Sequence, residues 1–186
     1  VNAFGNGLSS NRASAAADAQ FGAASTWDYF AKIHGRMGIR NNGIGSKSIV
    51  HYGFNYVNAF WQDSCFCMTY GDGDGITSMP LVSLDVVGHE MSHGITSATA
   101  GLVYSGESGG LNEATSDIFG TMVEFYANIP ADVPDYLMGE KVFKNGTAFR
   151  NMSNPIADSQ SPNCYASNLG THDVHYSSGV ANHFFY

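Results

Sequence analysis

Two histidines four positions apart flank a glutamate in the segment His89-Glu90-Met91-Ser92-His93, and this spacing is the strongest constraint in the chain. On a helix, positions i and i+4 lie one above the other on one face, so both imidazoles can reach a single metal ion. The intervening Glu90 is angled to hold a water molecule at that ion. The motif therefore predicts a metal-binding helix, and it requires the fold to bring a further ligand from elsewhere.

A second helix is predicted to supply that ligand. Apolar residues recur at helical spacing over residues 84–95 and again over residues 112–127, and Glu113 opens the second segment twenty positions after His93. Catalytic zinc takes three protein ligands and keeps one open position. The predicted zinc ligands are therefore His89, His93 and Glu113.

Acidic residues on the same helix faces predict two further roles. Asp117 lies one turn after the third ligand, where its carboxylate can accept the other ring N–H of His89 and fix its tautomer.

If the two helices pack antiparallel, Glu124 comes opposite Asp85, and two buried carboxylates that face each other need a cation. Oxygen ligands favour calcium, and the acidic segment 135–140 can complete the shell. The alternative is a solvated acidic face.

The remaining pattern predicts a mixed α+β chain whose first half is mainly β. Residues 1–20 carry little periodicity and are predicted to be loop, residues 23–33 have helical spacing, and a last helix starts near Ser178. Runs rich in β-branched and aromatic residues predict strands at 48–52, 58–61 and 65–70. We interpret the glycine–aspartate repeat at 71–75 as a tight turn, because it lacks the spacing of an EF-hand calcium loop.

Charge and hydropathy exclude two classes of partner. The 186 residues carry 8 basic and 16 acidic side chains, a net charge of −8, with no Lys/Arg cluster to neutralise phosphates. No apolar run approaches the length of a membrane span. We therefore expect neither nucleic acid nor membrane as a partner. The chain stops in the apolar run 181–186 without a helix stop signal, and we interpret it as an incomplete catalytic unit.

The sequence closely resembles the thermolysin family of neutral metallopeptidases in three stretches, residues 85–89, 110–113 and 124–126. The resemblance extends from about Asp18 to the end. It implies a zincin of α+β class. An incomplete β-rich N-terminal lobe would span residues 1–103 and include the active-site helix, and the truncated start of a helical C-terminal lobe would span residues 104–186. The implied protein is a secreted, monomeric zinc endopeptidase that cuts internal bonds of peptide or protein substrates, with Glu90 as the base for water.

The resemblance also assigns groups that stabilise the transition state. For the oxyanion the family uses a Tyr and a His, which are matched here by Tyr104 and His175. Asp173 would orient His175 so that it donates a hydrogen bond near neutral pH. Arg150 matches the family Arg that binds substrate carbonyls near the S1′ pocket.

Substrate binding follows from two further matches. Residues 58–61 match the edge strand that holds extended substrate by backbone hydrogen bonds, with Asn58 and Ala59 in contact with the substrate and Phe60 and Trp61 in the core. The S1′ wall is matched by four apolar residues: Leu81, Val86, Met138 and Phe149. Such a wall predicts cleavage on the amino side of large apolar residues.

The same resemblance implies calcium ligands at Asp85, Glu124, Asp135 and Glu140. Thermolysin binds paired calcium ions there and has a further acidic residue where this chain has Leu137. Leu137 offers at most a backbone carbonyl, so we expect one ion.

The cysteines are Cys65, Cys67 and Cys164, too few for a disulfide framework. One bridge plus one unpaired thiol is possible. A bridge from one of the first two to Cys164 would tie the two walls of the cleft together, and secretion would permit it. The sequence does not choose the partner.

Two other functions compete with the endopeptidase. A catalytically silent, peptide-binding homologue would have lost Glu90 or a metal ligand, and neither is lost here. A zinc aminopeptidase of related fold would need an acidic group beside Asn58 and Ala59 to hold the free amine of the substrate, and the sequence shows none there.

Overall fold

The structure is a computed structural model, and it describes residues 11–186. The part of the predicted loop that covers residues 1–10 lies outside these described residues. Three strands and two helices form the first part of the fold, in the order α1 Ala15–His34, β1 Lys47–Tyr52, β2 Ala59–Gln62, β3 Cys67–Gly71 and α2 Leu84–Ala98. The second part contains α3 Gly106–Ala127, β4 Leu137–Met138, β5 Arg150–Asn151, α4 Val174–Ser177 and α5 Gly179–Phe185.

One three-stranded sheet has the order β1-β3-β2, with β1 parallel and β2 antiparallel to the central β3. Strand β3 is buried along its whole length, whereas β2 is an edge strand. A single apolar core joins α1, the sheet, α2 and α3. The α+β class is confirmed. The expectation that the first half is mainly β is wrong, because its two long helices contain more residues than its three short strands.

The predicted loop through residue 20 is wrong from Ala15 onward. Asn11 caps a short 3-10 turn by accepting a hydrogen bond from the backbone N–H of Ala13 at 2.9 Å, and α1 follows directly. The start of α1 is rich in alanine, the residue with the highest helix propensity. Ala15 and Ala19 are buried, so small side chains pack closely at the start of this helix. The helix prediction relied on the spacing of large apolar residues and therefore missed this start.

Helix α3 begins six residues earlier than predicted, at Gly106. Glycines at its start would normally weaken a helix. Here they allow close approach of the chain around α4, because a Cβ at Gly109 would lie 2.4 Å from Val174 and one at Gly110 would lie 2.4 Å from the Ser177 hydroxyl. Tertiary packing therefore overrides local propensity. The predicted final helix is present as the consecutive helices α4 and α5.

The turn predicted after β3 is confirmed. The Asp74 carboxylate accepts hydrogen bonds from the backbone N–H groups of Ile76, Thr77 and Ser78 at 2.8 to 2.9 Å. These bonds hold the chain in a compact reversal between β3 and α2.

The structure chooses among the pairings that the sequence left open, and the bridge does not involve Cys164. The disulfide joins Cys65 to Cys67, with Cα atoms 5.3 Å apart, and Cys164 is exposed and unbridged. Phe66 between them has a φ of 52°, and this left-handed turn brings the two flanking cysteines together. The bridge is therefore local and does not connect the walls of the cleft.

Helices α2 and α3 pack antiparallel at close range, as expected. A Cβ at Gly88 would lie 3.0 Å from the Cα of Gly120, and one at Gly120 would lie 2.5 Å from the backbone oxygen of Asp85. The glycine pair allows the backbones to approach, and this approach places one face of α2 against one face of α3. Among the described helices, none is long and apolar enough to cross a membrane.

We predict that Gly120→Ala lowers the free energy of unfolding by about 1–3 kcal/mol, the usual effect of overpacking, although Ala is intrinsically the better helix residue. The reason is the contact of 2.5 Å that the new methyl group would make with the α2 backbone. Gly45→Ala is the control, since a Cβ there meets no atom within 4 Å. Denaturant unfolding measures both, and equal stability of the two variants would contradict the close approach.

Candidate metal centre and catalytic cleft

Three side chains from α2 and α3 meet at one point. The Nε2 atoms of His89 and His93 lie 2.9 Å apart. Glu113 places Oε2 at 3.5 Å from His89 Nε2 and Oε1 at 3.2 Å from His93 Nε2. The structure thus brings the three predicted ligands together as a group that could hold a metal ion.

Hydrogen bonds on the far side of each ring orient the two histidines. His89 Nδ1 lies 2.8 Å from Asp117 Oδ1, and His93 Nδ1 lies 2.7 Å from Asn112 Oδ1. A carboxylate and an amide oxygen only accept, so each Nδ1 carries a proton. Without a second proton, the Nε2 lone pairs of the two rings face each other and can bind one cation between them, which is the donor set expected for zinc.

The charges around Glu113 favour the same conclusion. Its side chain is fully buried, and one of its carboxylate oxygens, Oε2, has no hydrogen-bond donor in the described part of the chain. Burial raises the pKa of Glu113, but the charges of His89, His93 and Arg150 outweigh it and hold this pKa well below its usual value. Burial lowers the pKa of His93, but its hydrogen bond with Glu113 and the charge of Glu113 outweigh burial and raise this pKa to about 9. Positive charge is therefore strongly favoured at this point.

Asp117 is the centre of a buried network. Its two oxygens accept hydrogen bonds from Arg150 Nε and Nη2, both at 2.6 Å, in addition to the bond with His89. Asn182 of α5 donates a further bond to Oδ2 at 2.7 Å. Burial raises the pKa of Asp117, but Arg150 and His89 outweigh it, so the group stays ionised. One carboxylate therefore links a metal ligand, the predicted substrate-binding arginine and the last helix.

Glu90 lies beside the three ligands without joining them. It is buried, and its Oε2 has no hydrogen-bond partner among the described residues. Burial raises the pKa of Glu90, and the nearby histidines lower it in part. A carboxylate of this kind accepts protons more readily than an exposed glutamate, which suits a general base.

Tyr104 and His175 also lie close to the candidate metal centre, beside Glu113. The Tyr104 hydroxyl donates to Glu113 Oε1 and lies 3.2 Å from His175 Nε2. Asp173 Oδ1 lies 2.7 Å from His175 Nδ1 and also accepts the backbone N–H of His175 at 3.0 Å, so it caps α4 and orients the ring. Two hydrogen-bonding groups thus converge near the ligands.

A cleft of about 850 Å³ opens over this centre. All of the predicted substrate-binding residues line it: Asn58, Ala59, Leu81, Val86, Met138, Phe149 and Arg150. Phe60 and Trp61 were expected in the core, but they are only half-buried and also line the cleft. Because side chains alternate along β2, this short edge strand presents part of its surface to the cleft as well as to the core.

A second acidic group lies farther along α3. Glu124, Asp132 and Glu140 are buried and close enough together to hold a metal ion. Burial and the surrounding carboxylates raise the pKa of Glu124 to about 9 and that of Glu140 to about 8. Burial also raises the pKa of neighbouring Asp85, while its hydrogen bonds to backbone N–H groups oppose this rise. Asp135 belongs to the same surroundings but is not a member of the three-residue group.

Sequence reasoning missed three residues of these sites. Asn112 directly precedes Glu113, and the need of His93 Nδ1 for an acceptor could have pointed to it. Asp132 lies three residues before the acidic segment 135–140 that was expected to complete the calcium shell. Asn182 carries no local signal, since only the tertiary fold brings α5 to Asp117.

Comparison with known proteins identifies similar sequences along the whole chain. Residues 1–97 match the family model described as thermolysin metallopeptidase, catalytic domain, and residues 100–186 match the thermolysin metallopeptidase, alpha-helical domain. The transglutaminase-activating metalloprotease of Streptomyces mobaraensis is 62% identical over 98% of this chain and 24% of its own length. Thermolysin of Alicyclobacillus acidocaldarius is 47% identical over 90% of this chain and 31% of its own length.

A solved structure is similar as well. The precursor of protealysin, a metalloproteinase from Serratia proteamaculans, matches with a TM-score of 0.78 and 35% identity, over 92% of this chain and 58% of that one. The chain spans about a quarter to a third of the length of the curated relatives it matches.

We predict that Asp117→Asn weakens zinc binding by roughly 10- to 100-fold, because the acceptor that orients His89 loses its charge. Asp28→Asn is the control, since Asp28 is exposed on α1 and pairs with Lys32. Competition with a chelator of known zinc affinity measures both variants, with circular dichroism as the check on folding. Unchanged zinc affinity in a folded Asp117 variant would refute the orienting role.

Proposed function

The chain belongs to the thermolysin family of metallopeptidases, and from this premise we propose that the protein is a zinc-dependent endopeptidase that hydrolyses internal peptide bonds. The observation that carries the proposal is the convergence of His89, His93 and Glu113 beside Glu90 in an open cleft. Peptides or proteins are the substrates, and we propose a secreted monomer.

His89, His93 and Glu113 would hold the zinc ion. The ion, when bound, acts as a Lewis acid that polarises the scissile carbonyl and makes water more acidic. Asp117 and Asn112 keep both imidazoles in the tautomer that leaves Nε2 available. These two acceptors therefore set up the ligand geometry before substrate arrives.

Glu90 is the proposed general base and then the proton donor. It takes a proton from the attacking water as the oxygen adds to the carbonyl carbon. It gives that proton to the amide nitrogen as the C–N bond breaks, so a carboxylic acid and a free amine leave. The raised pKa of Glu90 supports this role, because a base whose pKa lies closer to the working pH both accepts and returns a proton.

Tyr104 and His175 are the proposed donors to the oxyanion that forms on the carbonyl oxygen. Their OH and Nε2 groups lie 3.2 Å apart, close enough to share one oxygen atom between them. Asp173 orients His175 through Nδ1 and leaves Nε2 directed to that shared position. Arg150 is the proposed partner of a substrate carbonyl, and its bidentate pairing with Asp117 fixes the guanidinium plane.

The edge strand β2 is the proposed backbone platform for extended substrate. Asn58 uses its carbonyl oxygen to accept the N–H of Ala59 at 2.9 Å, so its amide nitrogen remains to donate to substrate. The cleft also contains Asp63, whose carboxylate accepts the indole N–H of Trp61 at 2.8 Å. Oδ2 of Asp63 remains available to a free amine, so hydrolysis of peptides blocked at both ends distinguishes the endopeptidase from the aminopeptidase.

Calcium is the proposed structural cofactor. The proposed ligands from the family pattern are Asp85, Glu124, Asp135 and Glu140. The raised pKa values of Glu124 and Glu140 support a cation there, because a bound divalent ion offsets the repulsion between buried carboxylates.

We predict that Glu90→Gln abolishes hydrolysis of a peptide blocked at both ends and leaves zinc content nearly unchanged. Gln keeps the size of the side chain and cannot take the proton. Glu107→Gln is the matched control, since Glu107 is exposed at the start of α3 and outside the cleft. Substantial activity in the Glu90 variant refutes the mechanism, and activity of the parent protein only on peptides with a free amino end favours an aminopeptidase.

We also predict that the residue after the cut bond is mainly Leu, Phe, Ile or Val. The wall is built from buried Leu81, Val86 and Met138 with half-buried Phe149, and it gains roughly 25 cal/mol for each Å² of apolar side chain removed from water. The bulk of Phe149 should favour Leu over Phe, unless flexible Met138 yields. Digestion of an unbiased peptide library reads the preference, and enrichment of Asp, Glu, Lys or Arg at this position is the contrary result.

A further inference from the structure

Asp63 is an acidic side chain of the cleft that takes no part in the proposed catalytic steps. It follows the edge strand β2 and lines the cleft beside Trp61. Its Oδ1 accepts the indole N–H of Trp61 at 2.8 Å, and this bond holds the carboxylate at the wall of the cleft. A carboxylate accepts several hydrogen bonds, and Oδ2 has no hydrogen-bond partner among the described residues. The cleft therefore offers an available acceptor at this point.

The course of α2 shows which end of the cleft Asp63 occupies. Val86 of the apolar wall, Glu90 and Gly94 follow one another at intervals of four residues, so they lie on one face of this helix. Trp61 packs over Gly94, where a Cβ would lie 2.9 Å from its indole ring. The wall is proposed to receive the side chain after the cut bond, at the Val86 end. Asp63, beside Trp61, therefore lies where the residues before the cut bond would bind.

Basic groups around Asp63 do not neutralise its carboxylate. No ion pair within 4.0 Å links it to a basic side chain in the described part of the chain. The Arg40 guanidinium lies over the ring of Phe66, 4.2 Å from the ring centre, and Lys47 of β1 is exposed. Neither of these two basic side chains lines the cleft. The carboxylate is therefore available to a cation of the substrate.

The other charged groups of the cleft belong to the metal centre and its neighbours. Glu113 faces the two predicted metal-binding histidines, and Glu90 lies beside them. Asp173 pairs with a third histidine, and the Arg150 guanidinium is held by a buried carboxylate in a bidentate pair. No lysine of the described residues lines the cleft. The negative charge of Asp63 is thus not offset by the cleft itself.

We propose that Asp63 selects substrates that carry Lys or Arg at the second or third position before the cut bond. This selectivity rests on the proposed endopeptidase function and adds a charged subsite to the apolar S1′ wall. One helical turn, about 5.4 Å, separates Glu90 from Gly94, and an extended substrate advances about 3.3 Å per residue. A basic side chain two or three residues from the cut therefore reaches Oδ2 with its cationic group, while its aliphatic stem packs on Trp61.

A closed hairpin holds Asp63 in place for this contact. The backbone oxygen of Asp63 accepts the N–H of Phe66 at 3.2 Å, and the bridge between Cys65 and Cys67 closes the chain beside it. The ring of Phe66 packs edge-on against Trp61, with ring centres 5.3 Å apart. Both the backbone and the carboxylate of Asp63 are thus held before substrate arrives, which lowers the entropy lost when the ion pair forms.

The first test is digestion of an unbiased library of peptides, blocked at both ends, by the full-length, metal-loaded enzyme. We expect Lys and Arg to be enriched at the second or third position before the cut. Asp63→Asn keeps the acceptor for Trp61 and removes the charge. It should lower the kcat/KM ratio of a Lys peptide to its norleucine counterpart by about two- to fivefold, the range of an exposed ion pair. Asp28→Asn, on α1 and outside the cleft, is the matched control and should leave this ratio unchanged.

Charge reversal and salt separate an electrostatic role from a structural one. Asp63→Lys should transfer the preference at the same position from Lys to Glu, while the apolar preference after the cut bond stays the same. Raising NaCl to about 1 M should remove the Lys preference of the parent enzyme, because an exposed pair is screened. A Lys preference that persists in Asp63→Asn, or its absence from the cleavage products of the parent enzyme, overturns the proposed subsite.

Peptide affinity tests the subsite without hydrolysis. Calorimetry on full-length Glu90→Gln protein compares the binding of the blocked Lys and norleucine peptides, with and without Asp63→Asn. We expect the Lys peptide to bind about two- to fivefold more tightly, and this difference to disappear with Asp63→Asn. Equal affinities for the two peptides contradict the charged subsite, whereas failure of the parent enzyme to hydrolyse any blocked peptide contradicts the proposed endopeptidase.

Discussion

The close packing of α2 against α3 is the interaction on which both sites depend. Gly88 and Gly120 face each other where the two backbones come close, and a Cβ at Gly120 would lie 2.5 Å from the backbone oxygen of Asp85. On one side of this contact His89 and His93 face Glu113, and on the other Asp85 lies near Glu124. A single helix pair therefore positions a candidate catalytic metal and a candidate structural metal.

The two ends of the helix pair balance their buried charges in different ways. At one end the histidines and Arg150 lie beside Glu113 and Asp117, and they lower the pKa of both carboxyl groups. At the other end, burial and like charges raise the pKa of Glu124 to about 9 and that of Glu140 to about 8, with only the half-exposed Lys141 nearby. The first network is held largely by protein charges, whereas in the second burial and like charges favour the protonated carboxyl groups unless a cation binds there.

Much of this arrangement could be predicted from the sequence, because its determinants repeat at helical spacing. Positions 89 and 93 share a face by geometry alone, and the same periodicity aligns Glu113, Asp117 and Glu124 once the helices are antiparallel. The failures have a different origin. The start of α1 packs through alanines rather than large apolar residues, Cys67 pairs locally because Phe66 adopts a left-handed turn, and Asn182 reaches Asp117 across 65 positions of sequence. Periodicity carries no information on contacts that loops and distant helices create.

The second acidic group also has a direct connection to substrate binding. Strand β4 ends at Met138 in the wall of the cleft, and Glu140 follows two residues later. Met138 pairs with Arg150 of β5, and the N–H of Phe149 donates to the Met138 oxygen at 2.8 Å. Arg150 in turn binds Asp117, which orients His89. A cation held by Glu140 and Glu124 would thus tie β4 to α3, and through β5 it would restrain both the apolar wall and the arginine that adjoins the metal centre. If the acidic site holds a cation and the wall selects the substrate side chain, as proposed, the acidic site would contribute to specificity as well as to stability, because the wall is attached to it.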